Sequence, residues 1–117
     1  MQRVALFGGI RIGGIDSLEV DGYVIKNYIS TNCQVARIVA ELYVPNHLIN
    51  SVCVTNSINS ATVTSNTRSY AVAGIAAFAS GGIIFNCKNN NAVIGNADYL
   101  DEISGLIQNT IIRLQYE

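Results

Sequence analysis

The residues able to do chemistry are few and scattered. His47 is the only histidine, and it stands in YVPNHLIN beside the only proline, Pro45. A nucleophilic triad needs a histidine next to a nucleophile and an orienting carboxylate. This neighbourhood reads instead as a surface loop inserted between strands. Asp98, Asp101 and Glu102 could offer oxygens to a hard cation such as calcium. Their spacing, D-x-x-D-E, is no known loop signature, and a solvated turn accounts for it. Asn96 to Glu102 is the one stretch that reads as a helical turn. Asp16, Glu19 and Asp21 form a second acidic group in DSLEVD, where Glu19 and Asp21 share one face of a strand. Acidic pairs of that kind serve carbohydrate lyases built on β-helices, but these segments are too short and too neutral to make such a cleft.

The remaining chemical candidates carry structural explanations. Cys33, Cys53 and Cys87 are an odd set without C-x-x-C spacing, which argues against zinc and against a dense disulfide framework. They read as small hydrophobes in or near the core, with one disulfide plus a free thiol as the alternative. GGIRIGG, residues 8 to 14, lacks the glycine spacing and the strand-to-helix context of a phosphate cradle. Tyr23, Tyr28, Tyr43, Tyr70, Tyr99 and Tyr116 do not recur in register, so core edges explain them better than a sugar-stacking platform. The expectation is a protein with no catalytic residues, no metal and no cofactor.

The elements that would position these residues follow from composition and repetition. The chain has 117 residues, 50% hydrophobic and only 13% charged, with a net charge of −1. That length suggests one domain, and the charge leaves no basic footprint for nucleic acid. The longest apolar run, Tyr70 to Ala79, is too short to span a bilayer. The opening MQRVALFGGIRIGG is broken by glycines and reads as first strands and not as a signal peptide.

A polar tract recurs. N-C-K-N-N-N-A-V starts at Asn86, N-S-I-N-S-A-T-V at Asn56 and N-Y-I-S-T-N-C-Q-V at Asn27. Each follows a short apolar run and ends in a valine: Val35, Val63 or Val93. V-A-G-I-A from Val72 is echoed by I-S-G-L-I from Ile103, aligning Gly74 with Gly105, and by V-A-R-I-V from Val35. T-I-I-R-L from Thr110 mirrors G-I-I-F-N from Gly82. Together these make a repeat of about 30 residues in roughly three and a half copies.

Val and Ile dominate, in pairs and short alternations punctuated by Gly, Asn and Ser. That is the pattern of strands between turns. Strands recurring at this spacing can stack as a parallel β-solenoid, with coils over about 4–35, 36–65, 70–95 and 103–117. Equivalent positions then lie about 4.8 Å apart. Stacked asparagines bond along the column and tolerate the left-handed corner. Asn27, Asn56 and Asn86 are the expected ladder.

VAGIAAFASGGIIFNCKNNNAVIG, residues 72 to 95, resembles the GLUG-motif repeat family. Gly74, Gly81, Gly82, Ile84, Asn86, Cys87, Asn89, Val93 and Gly95 stand where that pattern has them. Residues 103–114 resemble the start of a further copy. Residues 35–65 resemble a degenerate one, with Arg37 at the strand glycine and Tyr43 to Asn50 at the double glycine. Residues 4–35 resemble it only around Asn27. The family occurs in large secreted and surface-attached proteins, adhesins among them. The resemblance implies β-solenoid spacers or binding surfaces, an extracellular or cell-surface location and no catalytic residues.

The functional expectation comes from the ends. A solenoid's terminal coils present unpaired backbone rows that must be capped or paired. No amphipathic capping helix is evident, and TIIRLQYE still reads as strand. The expected role is a structural or adhesive domain that stacks end to end with itself, or onto an adjoining domain. Val4, Leu6, Ile111, Ile112 and Leu114 would carry that contact. The alternative is a glycan-binding surface using Asn89 to Asn91. An ice-binding face is weakened because Thr55, Thr62, Thr64 and Thr67 do not recur at the coil period.

Overall fold

The computed structural model describes residues 2–11, 13–27, 29–44, 52–108 and 111–113. Pro45, His47, Leu114, Tyr28 and Tyr116, and the expectations that rest on them, lie outside the described residues. Among the described residues every regular element is a strand. Short Val- and Ile-rich runs fit a pleated surface, and the glycine, asparagine and serine clusters between them turn the chain.

The chain makes four successive passes. The first carries β1 (Gln2–Val4), β2 (Phe7–Ile10), β3 (Ile15–Asp16), β4 (Glu19–Val20) and β5 (Tyr23–Lys26). The second carries β6 (Cys33–Ala36), β7 (Val39–Tyr43), β8 (Val52–Thr55), β9 (Ile58–Asn59) and the first half of β10 (Thr62–Ala73). The third carries the rest of β10, β11 (Ala76–Ser80), β12 (Ile83–Phe85), β13 (Lys88–Asn89) and the start of β14 (Val93–Asp101). The fourth carries the rest of β14, β15 (Ser104–Gln108) and β16 (Ile111–Arg113).

Four small, separate sheets result. Their orders are β1-β6-β10-β14, with β5 also on β10; β15-β11-β7-β2; β16-β12-β8-β3; and β13-β9-β4. Every pairing between described strands is parallel and joins consecutive passes. Val4, Val35, Val72 and Leu100 form one column, and Ile15, Val54, Ile84 and Ile112 another.

The core lies where these columns turn inward. Ile38, Val39, Leu42, Val54, Ile75 and Ile84 form its main body, against which Ile10, Ile15, Leu18, Val20 and Ile103 pack in part. A second cluster joins Cys33, Val35, Val63 and Val72, with Val4, Val24 and Val93 partly buried against it. Burying an aliphatic side chain of this size contributes about 1.5–3 kcal/mol, so the inward columns supply most of the fold's driving force.

The passes are unequal, and this corrects the expected alignment. Leu42 to Val54 in the second pass corresponds to only Ile10 to Ile15 in the first. The extra residues push the second-pass corner away from the first-pass residue that a constant spacing selects. Asn27 therefore does not join the ladder; Ser17 holds its expected place. Val35 likewise stands out of register with Val63 and Val93. Val63 and Val93 pair with each other, while Val35 pairs with Val4 and Val72. Gly74 and Gly105 do not align, because Ala76 pairs with Ser104. V-A-R-I-V does align with V-A-G-I-A, through Val35 on Val72 and Val39 on Ala76.

The expected helical turn at Asn96 to Glu102 is also corrected. Ala97, Tyr99, Leu100 and Asp101 belong to β14 and pair with Ser69, Ala71, Val72 and Ala73. A ready-made neighbouring edge outweighs the local turn preference of Asn and Asp.

Candidate functional site

The asparagine corner is built from backbone strain and stacked amides. Ser17, Asn56 and Asn86 have φ of 58°, 51° and 52°, the left-handed conformation, at the equivalent corner of three passes. Asn86 Nδ2 donates to Asn56 Oδ1 at 2.7 Å. Asn56 Nδ2 donates onward to Asp16 Oδ1 at 2.9 Å, and Thr55 Oγ1 donates to the same oxygen at 2.7 Å. These hydrogen bonds, Thr55 first and then Asn56, hold the exposed Asp16 carboxyl below its ordinary range. The ladder thus runs Asp16–Asn56–Asn86. Asn27 sits elsewhere, accepting from Asn66 Nδ2 one pass on.

A second amide column escaped the sequence reading. Asn59 is fully buried. Its Nδ2 donates to the Ala61 carbonyl at 3.1 Å and to Asn89 Oδ1 at 2.7 Å, and its Oδ1 accepts from the Ala61 N–H at 2.9 Å. Asn89 Nδ2 donates to the Asn91 carbonyl at 2.7 Å, reproducing the turn bond one pass later. Asn90 Nδ2 reaches Ser60 Oγ at 3.4 Å, and Asn91 Nδ2 reaches the Ser60 carbonyl at 3.1 Å. The amides of Asn89 to Asn91 are therefore engaged within the chain. The detectable signal was N-S-A-T-V against N-N-N-A-V, with Asn59 and Asn89 each four residues before a valine.

Other polar groups also serve the stack. Lys26 is fully buried, and its Nζ donates to the Ser30 and Arg68 carbonyls at 2.7 and 2.8 Å. Cys33 and Cys87 are both buried. Burial pushes the Cys87 thiol up, against smaller opposing hydrogen bonds from Ser57 and Phe85. Gly105 lies on β15, where a Cβ would press on the Ala77 carbonyl at 2.9 Å. Among the described residues, no three of His, Cys, Asp and Glu converge where a metal could be held. No helix among them is long and apolar enough to cross a membrane.

The first pass offers the main chemical surface. β1, β2, β3 and β4 each stand at the edge of their sheets. Leu6 and Phe7 are 50% and 42% exposed, and Tyr23, Ile25 and Ile29 of the same pass are exposed as well. Val4, Ile10, Ile15, Leu18 and Val20 are partly buried against the core clusters. Next to this edge, Arg3 pairs with Glu41 at 2.5 Å and the Arg11 guanidinium lies 5.1 Å from the Tyr43 ring centre. Those four residues, with Gly9 and Ile10, line an open groove of about 400 Å³. At the other end Tyr99 and Leu100 on β14 are exposed, and Ile111 and Ile112 lie on the edge strand β16.

Compared with known proteins, the chain matches no family model, no curated protein and no solved structure.

Proposed function

We propose that this chain is a non-enzymatic structural module, a small parallel β-solenoid that associates end to end with copies of itself into a fibre or larger surface assembly. The solenoid reading is supported by the fixed order in which each pass visits the sheets, and by pairing between consecutive passes alone. Four layers at about 4.8 Å span about 14–19 Å, and the shortest dimension of the molecule is 18 Å. The repeat's resemblance to the GLUG-motif family points the same way. That resemblance, with the charge-poor polar composition, favours an extracellular or cell-surface setting.

One observation carries the association. β1, β2, β3 and β4 each form the edge of one of the four sheets, with partly buried inward residues and with Leu6 and Phe7 exposed. Unpaired strand edges with apolar borders are templates for another strand layer. The last-pass edge supplies a layer of matching direction, so head-to-tail stacking keeps all pairing parallel. Sedimentation velocity from low to high micromolar protein tests this. The weight-average size should grow with concentration, and Leu6→Lys should suppress the growth while leaving the melting transition in place. A wild-type protein that stays monomeric throughout removes the reading.

A second reading, a glycan-binding surface module, has one observation in its favour: the groove of Arg3, Arg11, Glu41 and Tyr43 joins a ring face to paired cations. Binding of acidic oligosaccharides on an array, lost in Arg11→Ala, would support it. Its earlier anchor, Asn89 to Asn91, is committed to internal bonds.

A further inference from the structure

The strand register extends beyond one molecule. The column that starts at Asp16 runs through Thr55 and Phe85 to Arg113. It begins with a carboxylate and ends with an arginine. The column that starts at Arg3 runs through Gln34 and Ala71 to Tyr99. Asp101 follows two residues later on the same strand and therefore on the same face. Arg3, Asp16, Tyr99 and Asp101 are all exposed.

We infer that copies join in continuous register, the first pass of one molecule adding as the next layer on the last pass of another, and that charge keys the joint. This rests on the end-to-end association proposed above and names its register. In such a joint Asp16 of one copy falls next to Arg113 of the other. Arg3 falls next to Tyr99, with Asp101 on the diagonal. Across neighbouring strands these distances suit ion pairs and stacking.

The arginine–tyrosine contact has a counterpart within the chain. Arg11 and Tyr43, on adjoining passes, already stack at 5.1 Å. Asp16 already bonds to the next pass through Thr55 and Asn56, which leaves the opposite side of that column for a preceding layer. A reversed contact, first pass against first pass, would set Asp16 against residues of its own end and would require antiparallel strands. The charges thus select head-to-tail polarity.

The experiment is a charge-swap complementation by sedimentation velocity, with circular dichroism to follow folding. Asp16→Arg alone and Arg113→Asp alone should each weaken association by about tenfold or more, since each sets like charges across every joint. An equimolar mixture of the two variants should restore it, because every joint between unlike partners then pairs opposite charges. Asp16→Asn keeps an acceptor for Thr55 and Asn56 and so covers a folding failure of Asp16→Arg. It should weaken association by about two- to fivefold, the value of a partly exposed ion pair. Raised salt should weaken wild-type association and leave the Asp16→Asn protein less affected. If wild type associates but the variants and their mixture behave like it, the register falls and the association stands. If wild type remains monomeric, both fall.

Discussion

Gly74 and Asn89 meet across the interior: a Cβ on Gly74 would collide with the Asn89 carboxamide and would lie 2.6 Å from the Glu102 carbonyl oxygen. The glycine, at the bend between β10 and β11, therefore also makes room for an amide. Asn89 Oδ1, on the other side, accepts from the buried Asn59. A bend glycine and an asparagine column from another sheet are one packing unit.

Gly74→Ala is expected to destabilise by about 1–3 kcal/mol, the usual range for overpacking. Combining it with Asn89→Ala should recover only part of that loss, because the Glu102 carbonyl still blocks the new methyl group. Chemical denaturation of the two single variants and the double variant measures the coupling. Full additivity would mean that the two residues do not share the space.

Asn59→Ala should be the costliest asparagine replacement. It orphans the Ala61 N–H and the Asn89 oxygen inside the fold, at about 1–3 kcal/mol per buried group. Asn90→Ala, at an exposed position, should change stability by no more than about 0.5 kcal/mol. Equal effects from the two in a urea melt would contradict the buried column.

The left-handed corner gives a graded series. Ser17→Gly should stabilise by a fraction of the roughly 1–2 kcal/mol that the left-handed conformation costs an L-residue. Asn56→Gly relieves the same strain but deletes bonds to Asp16 and Asn86, so its net effect should be smaller or reversed. Thermal unfolding of both variants in parallel reads the difference.

Asp16 sets an acid limit on the ladder. Its folded pKa is lowered by Thr55 and Asn56, so its contribution is present above the ordinary aspartate pKa and disappears as pH falls through the lowered value. Wild-type stability should therefore decline at acid pH more steeply than that of Asp16→Asn, which keeps an acceptor but cannot titrate. Parallel slopes in a pH series of denaturant midpoints would discount the carboxylate.

Cys87 should react slowly with a thiol reagent at neutral pH, because burial raises its pKa and only the thiolate attacks. Peptide mapping after timed alkylation should find Cys87 far less modified in the folded protein than in denaturant. Rapid labelling in the folded state would show that this corner opens readily.

The amino-acid sequence by itself determined the strand content, the turns and the repetition. β-branched pairs favour a pleated face, and Asn and Gly favour left-handed corners, so N-C-K-N-N-N and S-G-G-I-I-F announced their roles locally. The shared Ile-Ile pair aligns the Thr110 segment with the Gly82 segment, and their strands pair in that register. The tertiary structure decided which residues share a column. Extra residues between Leu42 and Val54 displaced the corner from Asn27 to Ser17, a change invisible to any constant spacing. It also decided that Asn96 to Asp101 is strand, since a neighbouring edge satisfies that backbone better than a local turn. Asn59, Asn89 and Gly74 were brought together by the stacking of passes, because shared volume and buried amide partners are set by where the layers meet and not by sequence distance.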